Sequence, residues 1–304
     1  MTKSPDGSRV AVIVPTYGRP ELLMRTMERL KSQTLRPDIL IVSAPDESHV
    51  ARLDAPEMPI RYVFGTLGAA AQRNAALSLV LESDPLEPFD VIVFFDDDFL
   101  PADDFLENTV AAFADHPDCV VLTGRVLADG INSNGISYEA AQSILAASPP
   151  VPVSEGEASD YHAGYGCNMA VRVSAIGAER FDERLVLYGW QEDADFTRRV
   201  AAGRGRILRH SALRGVHMGI KSGRTSGVRF GYSQIVNPVY LMRKGSLTPK
   251  LALRLMARNV IANASRALWA EPWIDRRGRL WGNVIGLSHV LGGRIEPEHA
   301  RELA

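Results

Sequence analysis

Apolar and polar positions alternate between two periods along the first half of the chain. Arg9 to Val14 is a short apolar run of strand length, and Pro20 to Gln33 places Leu22, Leu23, Met27 and Leu30 on one face of a helix. Asp38 to Ser43 and Ile60 to Phe64 read as two further strands, and Leu67 to Leu81 as an Ala-rich helix. The run Val91 to Phe95, β-branched and aromatic throughout, suits a central strand covered on both faces. A helix from Asp103 to Ala114 and a strand from Cys119 to Gly124 continue the series. This is the βαβ order of a doubly wound, mostly parallel sheet flanked by helices, an α/β fold.

From Leu127 to Tyr161 the chain is rich in Ser, Pro, Gly and Asn, with one helical stretch, Tyr138 to Ala147. It reads as an irregular loop region. Order returns at Gly164, and a helix starting near Gln191 runs to Ala202 and stops at Gly203. Beyond Gly245 the pattern is helical, so we expect an α/β domain over 1–245 and a helical C-terminal extension over 246–304. Pro249 to Ala270 sets Leu251, Leu255, Ile261 and Leu268 among Lys250, Arg254, Arg258 and Arg266, with Arg276, Arg277 and Arg279 following. Such a helix either packs on its own domain or faces a membrane surface or an anionic acceptor.

Composition narrows the class. At 304 residues and 46% hydrophobic content the chain buries a substantial core. A formal charge of −2 gives no bulk attraction for nucleic acid. The apolar stretch Val10 to Val14 is too short for a signal-peptide core, and no run is long enough to span a bilayer, so any membrane contact is expected to be peripheral. Cys119 and Cys167 form no disulfide framework, which fits a reducing cytoplasm. Oligomeric state is not legible.

The candidate chemistry begins at Asp96-Asp97-Asp98, directly after the central strand. Continued alternation would project Asp96 and Asp98 to one side and Asp97 to the other. Two carboxylates so close need a cation or donors, and the carboxyl edge of an open α/β sheet is where ligands bind. Pro15, Thr16, Tyr17 and Arg19, in the turn after the first strand, bring backbone N–H groups, a hydroxyl, a ring and a guanidinium to that edge. Arg73 opposes the dipole of its helix, which implies an anionic partner, either a ligand or the aspartates. His217 sits between small residues in Arg214-Gly-Val-His-Met-Gly219. With two carboxylates, water and phosphate oxygens it makes octahedral company for Mn²⁺ or Mg²⁺.

The acids near Trp190 divide by spacing. Asp195 has Arg198 and Arg199 three and four positions on, so a local, partly exposed ion pair explains it. Glu192 and Asp193 meet no cation at those offsets, which suits a carboxylate positioned to take a proton from an acceptor hydroxyl. Favourable placement at a helix N-terminus is the alternative. Tyr188-Gly189-Trp190 can approach a flat sugar or another ring.

In one order along the chain stand V-A-V-I-V-P-T-Y-G-R-P, G-A-A-A-Q-R-N-A-A-L, the D-D-D triplet, G-Y-G-C-N-M-A-V-R, F-D-E-R-L-V-L-Y-G-W-Q-E-D-A-D-F-T-R-R and V-H. From Arg9 to His217 the sequence resembles the family 2 glycosyltransferases of the GT-A fold. The resemblance implies inverting transfer of a sugar from a nucleotide diphosphate donor to a saccharide or lipid-linked saccharide acceptor. It implies that Pro15, Thr16, Tyr17, Arg19, Arg73, Asp96 and Asp97 serve the nucleotide, and that Asp96, Asp98 and His217 hold a divalent metal. Asp193 would be the general base, with Glu192 and Trp190 at the acceptor. Where the family usually carries V-D-D-G-S, this chain reads Val42-Ser43-Ala44-Pro45-Asp46-Glu47-Ser48, with Asp46 the carboxylate offered to the base. Rival readings are a metal-dependent nucleotidyltransferase, for which Tyr17-Gly18-Arg19-Pro20 is a thin phosphate loop, and a non-catalytic nucleotide-sugar-binding module.

Overall fold

A computed structural model describes residues 7–82, 86–221, 226–269 and 271–304. The elements run β1 (Val10–Pro15), α1 (Pro20–Lys31), β2 (Ile39–Ser43), β3 (Ile60–Val63), α2 (Ala69–Leu81), β4 (Val91–Phe95), β5 (Phe99–Pro101), α3 (Phe105–Asp115), β6 (Cys119–Asp129), α4 (Tyr138–Ala146), β7 (Ala158–Asp160), β8 (Asn168–Arg172), α5 (Val173–Ile176), α6 (Glu192–Ala201), β9 (Arg206–His217), α7 (Gly227–Lys244), α8 (Pro249–Arg266) and α9 (Arg276–Leu291). They divide into two compact units. One holds Met1–Leu67, Gln72–Arg180 and Phe196–Gly223; the other holds Gly68–Ala71, Phe181–Asp195 and Arg224–Ala304.

The first unit contains one sheet in the order β3-β2-β1-β4-β8-β6-β9-β5, with β7 beside β9. β1, β2, β3 and β4 pair in parallel, β8 runs against both β4 and β6, and β6 and β9 pair in parallel. Six strands therefore point one way, and the sheet is mostly parallel. β1 and β4 are buried at every position, as their unbroken apolar runs require. The strand run expected to end at Gly124 continues to Asp129, and the following irregular region holds α4 and β7.

β4 stops at Phe95, and the acidic triplet is a turn closed by the Phe99 N–H donating to the Asp96 carbonyl at 3.0 Å. Hence the turn, and not continued strand alternation, orients the carboxylates. Its two ends are clamped by aromatic rings: Phe95 and Phe99 stack at 5.5 Å, and both present faces or edges to Phe105, at 5.0 and 6.0 Å. Each such pair stabilises by about 0.5–1.5 kcal/mol beyond simple burial. Phe99→Ala would remove two of the three ring contacts and loosen the turn. After it the chain forms β5 against β9, and the next helix begins only at Phe105.

The second unit is helical. α7 and α9 approach closely because each is notched by glycine: a Cβ at Gly231 would lie 2.0 Å from the Arg279 carbonyl oxygen, and one at Gly282 2.0 Å from that of Val228. Asn263, Asn283 and Gln234 form a buried hydrogen-bonded group between α7, α8 and α9. Among the described residues no helix is long and apolar enough to cross a membrane.

Candidate active site

Strand register delivers the first cluster. His217, the last residue of β9, pairs with Phe99 of β5 on one side and Asp129 of β6 on the other. That places its ring beside both Asp98 and Asp129. Nε2 lies 3.4 Å from Asp98 Oδ1, and Nδ1 lies 3.0 Å from Asp129 Oδ1 and 3.3 Å from the Tyr165 hydroxyl, which donates to Asp129 Oδ2 at 2.9 Å. The glycines flanking His217 are small for packing reasons. A Cβ at Gly215 would meet the Phe99 ring at 2.1 Å, and Gly219, at φ +64°, would meet the Gly130 backbone at 2.3 Å.

Asp96, Asp98 and His217 each offer a ligand atom, and these lie within 4.8 Å of one another. Burial opposes charge on the His217 ring, but the carboxylates of Asp129 and Asp98 outweigh it and push its pKa up to about 10. Burial likewise disfavours the Asp98 carboxylate; hydrogen bonding and attraction from His217, the Arg19 charge and the Ile220 N–H reverse this and hold it well below the usual range. The donor set fits a divalent cation. Two carboxylates and an imidazole match Mn²⁺ or Mg²⁺, and a carboxylate on the far nitrogen orients the ring as in metal-ligating histidines.

Asp97 points elsewhere. It is fully buried, accepts from the Thr16 hydroxyl at 2.6 Å and pairs with Arg19 at 2.8 Å. Burial pushes its pKa up to about 7, against the pull of Arg19. Arg19 also reaches Asp98 at 3.1 Å, so one guanidinium compensates both acids. Arg73 answers the sequence question of its partner: it pairs with Asp96 at 2.7 Å. Gln72 beside it donates to the Thr16 and Ser43 carbonyls, both at 2.8 Å, tying the ends of β1 and β2.

Pro15 ends β1 opposite Ser43, and Tyr17 is exposed and stacked on His49 at 4.7 Å. The Gly18 N–H donates to His49 Nδ1 at 3.0 Å. Asp46 caps the short turn before His49 through the Ser48 N–H at 2.8 Å. Asp129, Tyr165 and His49 are site residues that pattern reading missed. The first two depend on long-range register; His49 stands only three residues from Asp46, the one signal that could have found it.

Glu192 and Asp193 belong to the second unit and open α6. Glu192 is buried, and Asp193 is half-buried and accepts from the Ala194 N–H at 2.7 Å. Ahead of them Leu187, Gly189 and Gln191 all take positive φ, two of them without glycine's freedom. Such strain persists only where surroundings enforce it. Trp190 is held by the Asn237 amide, which donates to its carbonyl at 2.9 Å, and lies 6.3 Å from Phe230. Asp195 is fully buried where a partly exposed carboxylate was expected, and it pairs with Lys244 at 2.8 Å, while Lys244 also holds Asp182 at 2.6 Å.

Residues 11–176, more than half of the chain, match the family described as Glycosyl transferase family 2. The chain belongs to glycosyl transferase family 2. Among solved structures, the mannosyltransferase PcManGT from Pyrobaculum calidifontis in complex with GDP-Man and Mn²⁺ has the same fold at 17% identity, covering 92% of this chain and 87% of that one, TM-score 0.55. The S. aureus TarS 1-349 structure in complex with UDP does so at 16% identity, covering 97% and 87%, TM-score 0.52. This family 2 chain spans 65% of another TarS 1-349 chain and 44% of a longer TarS chain. No curated protein matches the sequence. The fold is therefore GT-A.

Proposed function

We propose that the protein is an inverting glycosyltransferase that moves a sugar from a nucleotide diphosphate sugar to an acceptor hydroxyl in polysaccharide or glycoconjugate assembly. The observation that carries this reading is the convergence of Asp96, Asp98 and His217 beside two arginines at the carboxyl edge of the sheet. Asp96, Asp98 and His217 would hold Mn²⁺ or Mg²⁺, which when bound would stabilise charge building on the leaving diphosphate oxygens. Arg19 and Arg73 add fixed positive charge beside the same carboxylates. Tyr17 offers a ring face to the nucleobase, with Pro15, Thr16 and Asp97 shaping the turn and Asp46 the nearby carboxylate. Asp193 takes the proton from the attacking hydroxyl, and Glu192 and Trp190 orient the acceptor, a saccharide or lipid-linked saccharide. One displacement inverts the anomeric centre. The metal-bound mannosyltransferase of the same fold supports the cation assignment. The buried free thiols of Cys119 and Cys167 support work in the cytoplasm or at the cytoplasmic face of the inner membrane.

Calorimetric titration with nucleoside diphosphates tests the reading. Affinity should require Mn²⁺ or Mg²⁺ and fall in EDTA; equal affinity in EDTA would overturn the metal assignment. A screen of nucleotide sugars for cation-dependent release of nucleoside diphosphate then identifies the donor.

A further inference from the structure

Nine of the fourteen large apolar side chains exposed among the described residues fall between 253 and 291. They are ordered by helix period. On α8, Leu253, Ala257 and Ile261 recur every four residues on one exposed stripe, and Lys250, Arg254 and Arg258 recur every four on the stripe beside it. On α9, Trp281, Val284, Leu287 and Leu291 face solvent, opposite the Gly282, Asn283 and Gly286 side that packs on α7. The two helices meet at a corner where Arg277 Nε donates to the Ala267 carbonyl at 3.1 Å. Trp269, 72% exposed, follows that carbonyl by two residues, and Trp281, 60% exposed, follows Arg277 by four.

The charge on this face is one-sided. α8 and α9 contain seven Lys and Arg residues and no Asp or Glu. The two acids between them are engaged: Glu271 with Arg266 and Arg276, Asp275 with the Gly278 N–H. Arg276 is buried and Arg279 lies over the Phe230 ring, so neither reaches the surface face. Lys250, Arg254 and Arg258 are exposed, with no carboxylate at ion-pair distance among the described residues.

We propose that this face of α8 and α9 docks on the anionic surface of a lipid bilayer, with Trp269 and Trp281 at headgroup depth and Lys250, Arg254 and Arg258 on lipid phosphates. Tryptophan between apolar and basic side chains is the composition of a membrane interface, and an in-plane helix needs no spanning length. A second copy of the chain fits the face less well, because an isologous contact brings the same cations together. An anionic leaflet complements them.

Flotation of the full chain with phosphatidylcholine vesicles, with and without about a third of phosphatidylglycerol, decides the matter. The vesicles carry no sugar acceptor, so the result is independent of the transfer reaction, whose donor binding is read separately by calorimetry. The protein should float with anionic vesicles at low salt, sink at high salt, and show a blue-shifted Trp emission when bound. Each cation near the surface strengthens partitioning about five-fold, so Arg254→Glu with Arg258→Glu should weaken it by about 25-fold or more. Trp281→Ser should weaken it at every salt concentration. All three positions are exposed, so the melting temperatures of the variants should match wild type. Failure to float at low salt, or unchanged flotation of the charge variant, would overturn the proposal. A concentration-dependent dimer in sedimentation velocity, abolished by Trp281→Ser and accompanied by no vesicle binding, would assign the face to a second copy instead.

Discussion

Replacing Asp129 by Asn should change how the cation site responds to pH before it changes anything else. In the metal-free protein the His217 imidazolium bridges Asp129 at 3.0 Å and Asp98 at 3.4 Å, and its pKa is pushed up to about 10. A cation ligand must be neutral, so binding at Nε2 displaces that proton. With its pKa raised well above 7.5, only a small minority of these rings is neutral there, which lowers apparent affinity relative to the deprotonated site. Wild-type affinity for Mn²⁺ should therefore rise about ten-fold per pH unit between pH 6.5 and 8.5, with about one proton released per ion. Asp129→Asn removes one of the two carboxylates that hold the proton, so the ring titrates nearer neutrality and the slope flattens above about pH 7.5. The same change loses the partner that orients the ring, which costs about 10- to 100-fold at the high-pH limit. Calorimetry in two buffers of different ionisation enthalpy measures affinity and proton release together. A wild-type affinity flat in pH, or a variant with the wild-type slope, would refute this account of the site.

Two further predictions concern α6 and its surroundings. Asp193→Asn should lower turnover by roughly 10²- to 10⁴-fold, read as nucleoside diphosphate release, while nucleoside diphosphate affinity and melting temperature barely move; an active variant would remove Asp193 from the role of base. Lys244→Met removes a cation from both the fully buried Asp195 and the largely buried Asp182, which keeps its hydrogen bonds from the Tyr240 hydroxyl and the Arg184 N–H, and should cost about 1–3 kcal/mol in urea unfolding; a variant as stable as wild type would remove Lys244 from that role.

Residues whose role follows from local pattern were legible in the sequence, and those whose role follows from distant register were not. β4 was read to the residue because an unbroken apolar run can sit only inside a sheet. β9 was missed: Arg206, Arg209, His210 and Arg214 interrupt its apolar positions, and three register shifts against β6 destroy a clean alternation. Asp129 and Tyr165 were invisible for the same reason: the β6·β9 pairing brings Asp129 to His217, and Tyr165 arrives from the turn before β8, where its N–H donates to Thr123 of β6 at 3.2 Å. α7 was overlooked because Gly227, Gly231 and Pro238 weaken a helical reading, although Gly231 is what admits α9. Asp195 shows the limit of spacing arguments. Spacing names Arg198 and Arg199, but only the fold shows that a lysine 49 positions away also reaches Asp195 and that its carboxylate is interior.

The placement of the cation cluster follows from strand direction. β1, β2, β4, β6 and β9 all point the same way, so Thr16, Asp46, Asp96, Asp129 and His217, at or just beyond their carboxyl ends, gather on one edge of the sheet. Antiparallel β8, inserted between β4 and β6, separates these strands without reversing them. The gathered charge explains why cation and diphosphate should bind together. Arg19, Arg73 and protonated His217 stand against Asp96, Asp98 and Asp129, with Asp97, whose pKa burial pushes up to about 7, carrying part of a further negative charge near neutral pH. Exchanging the His217 proton for a divalent ion makes the edge more positive by one charge, +2 in place of +1. A diphosphate is therefore held more favourably in the second state than in the first. Positive coupling between the two ligands is then a property of these seven side chains, whichever sugar the donor carries.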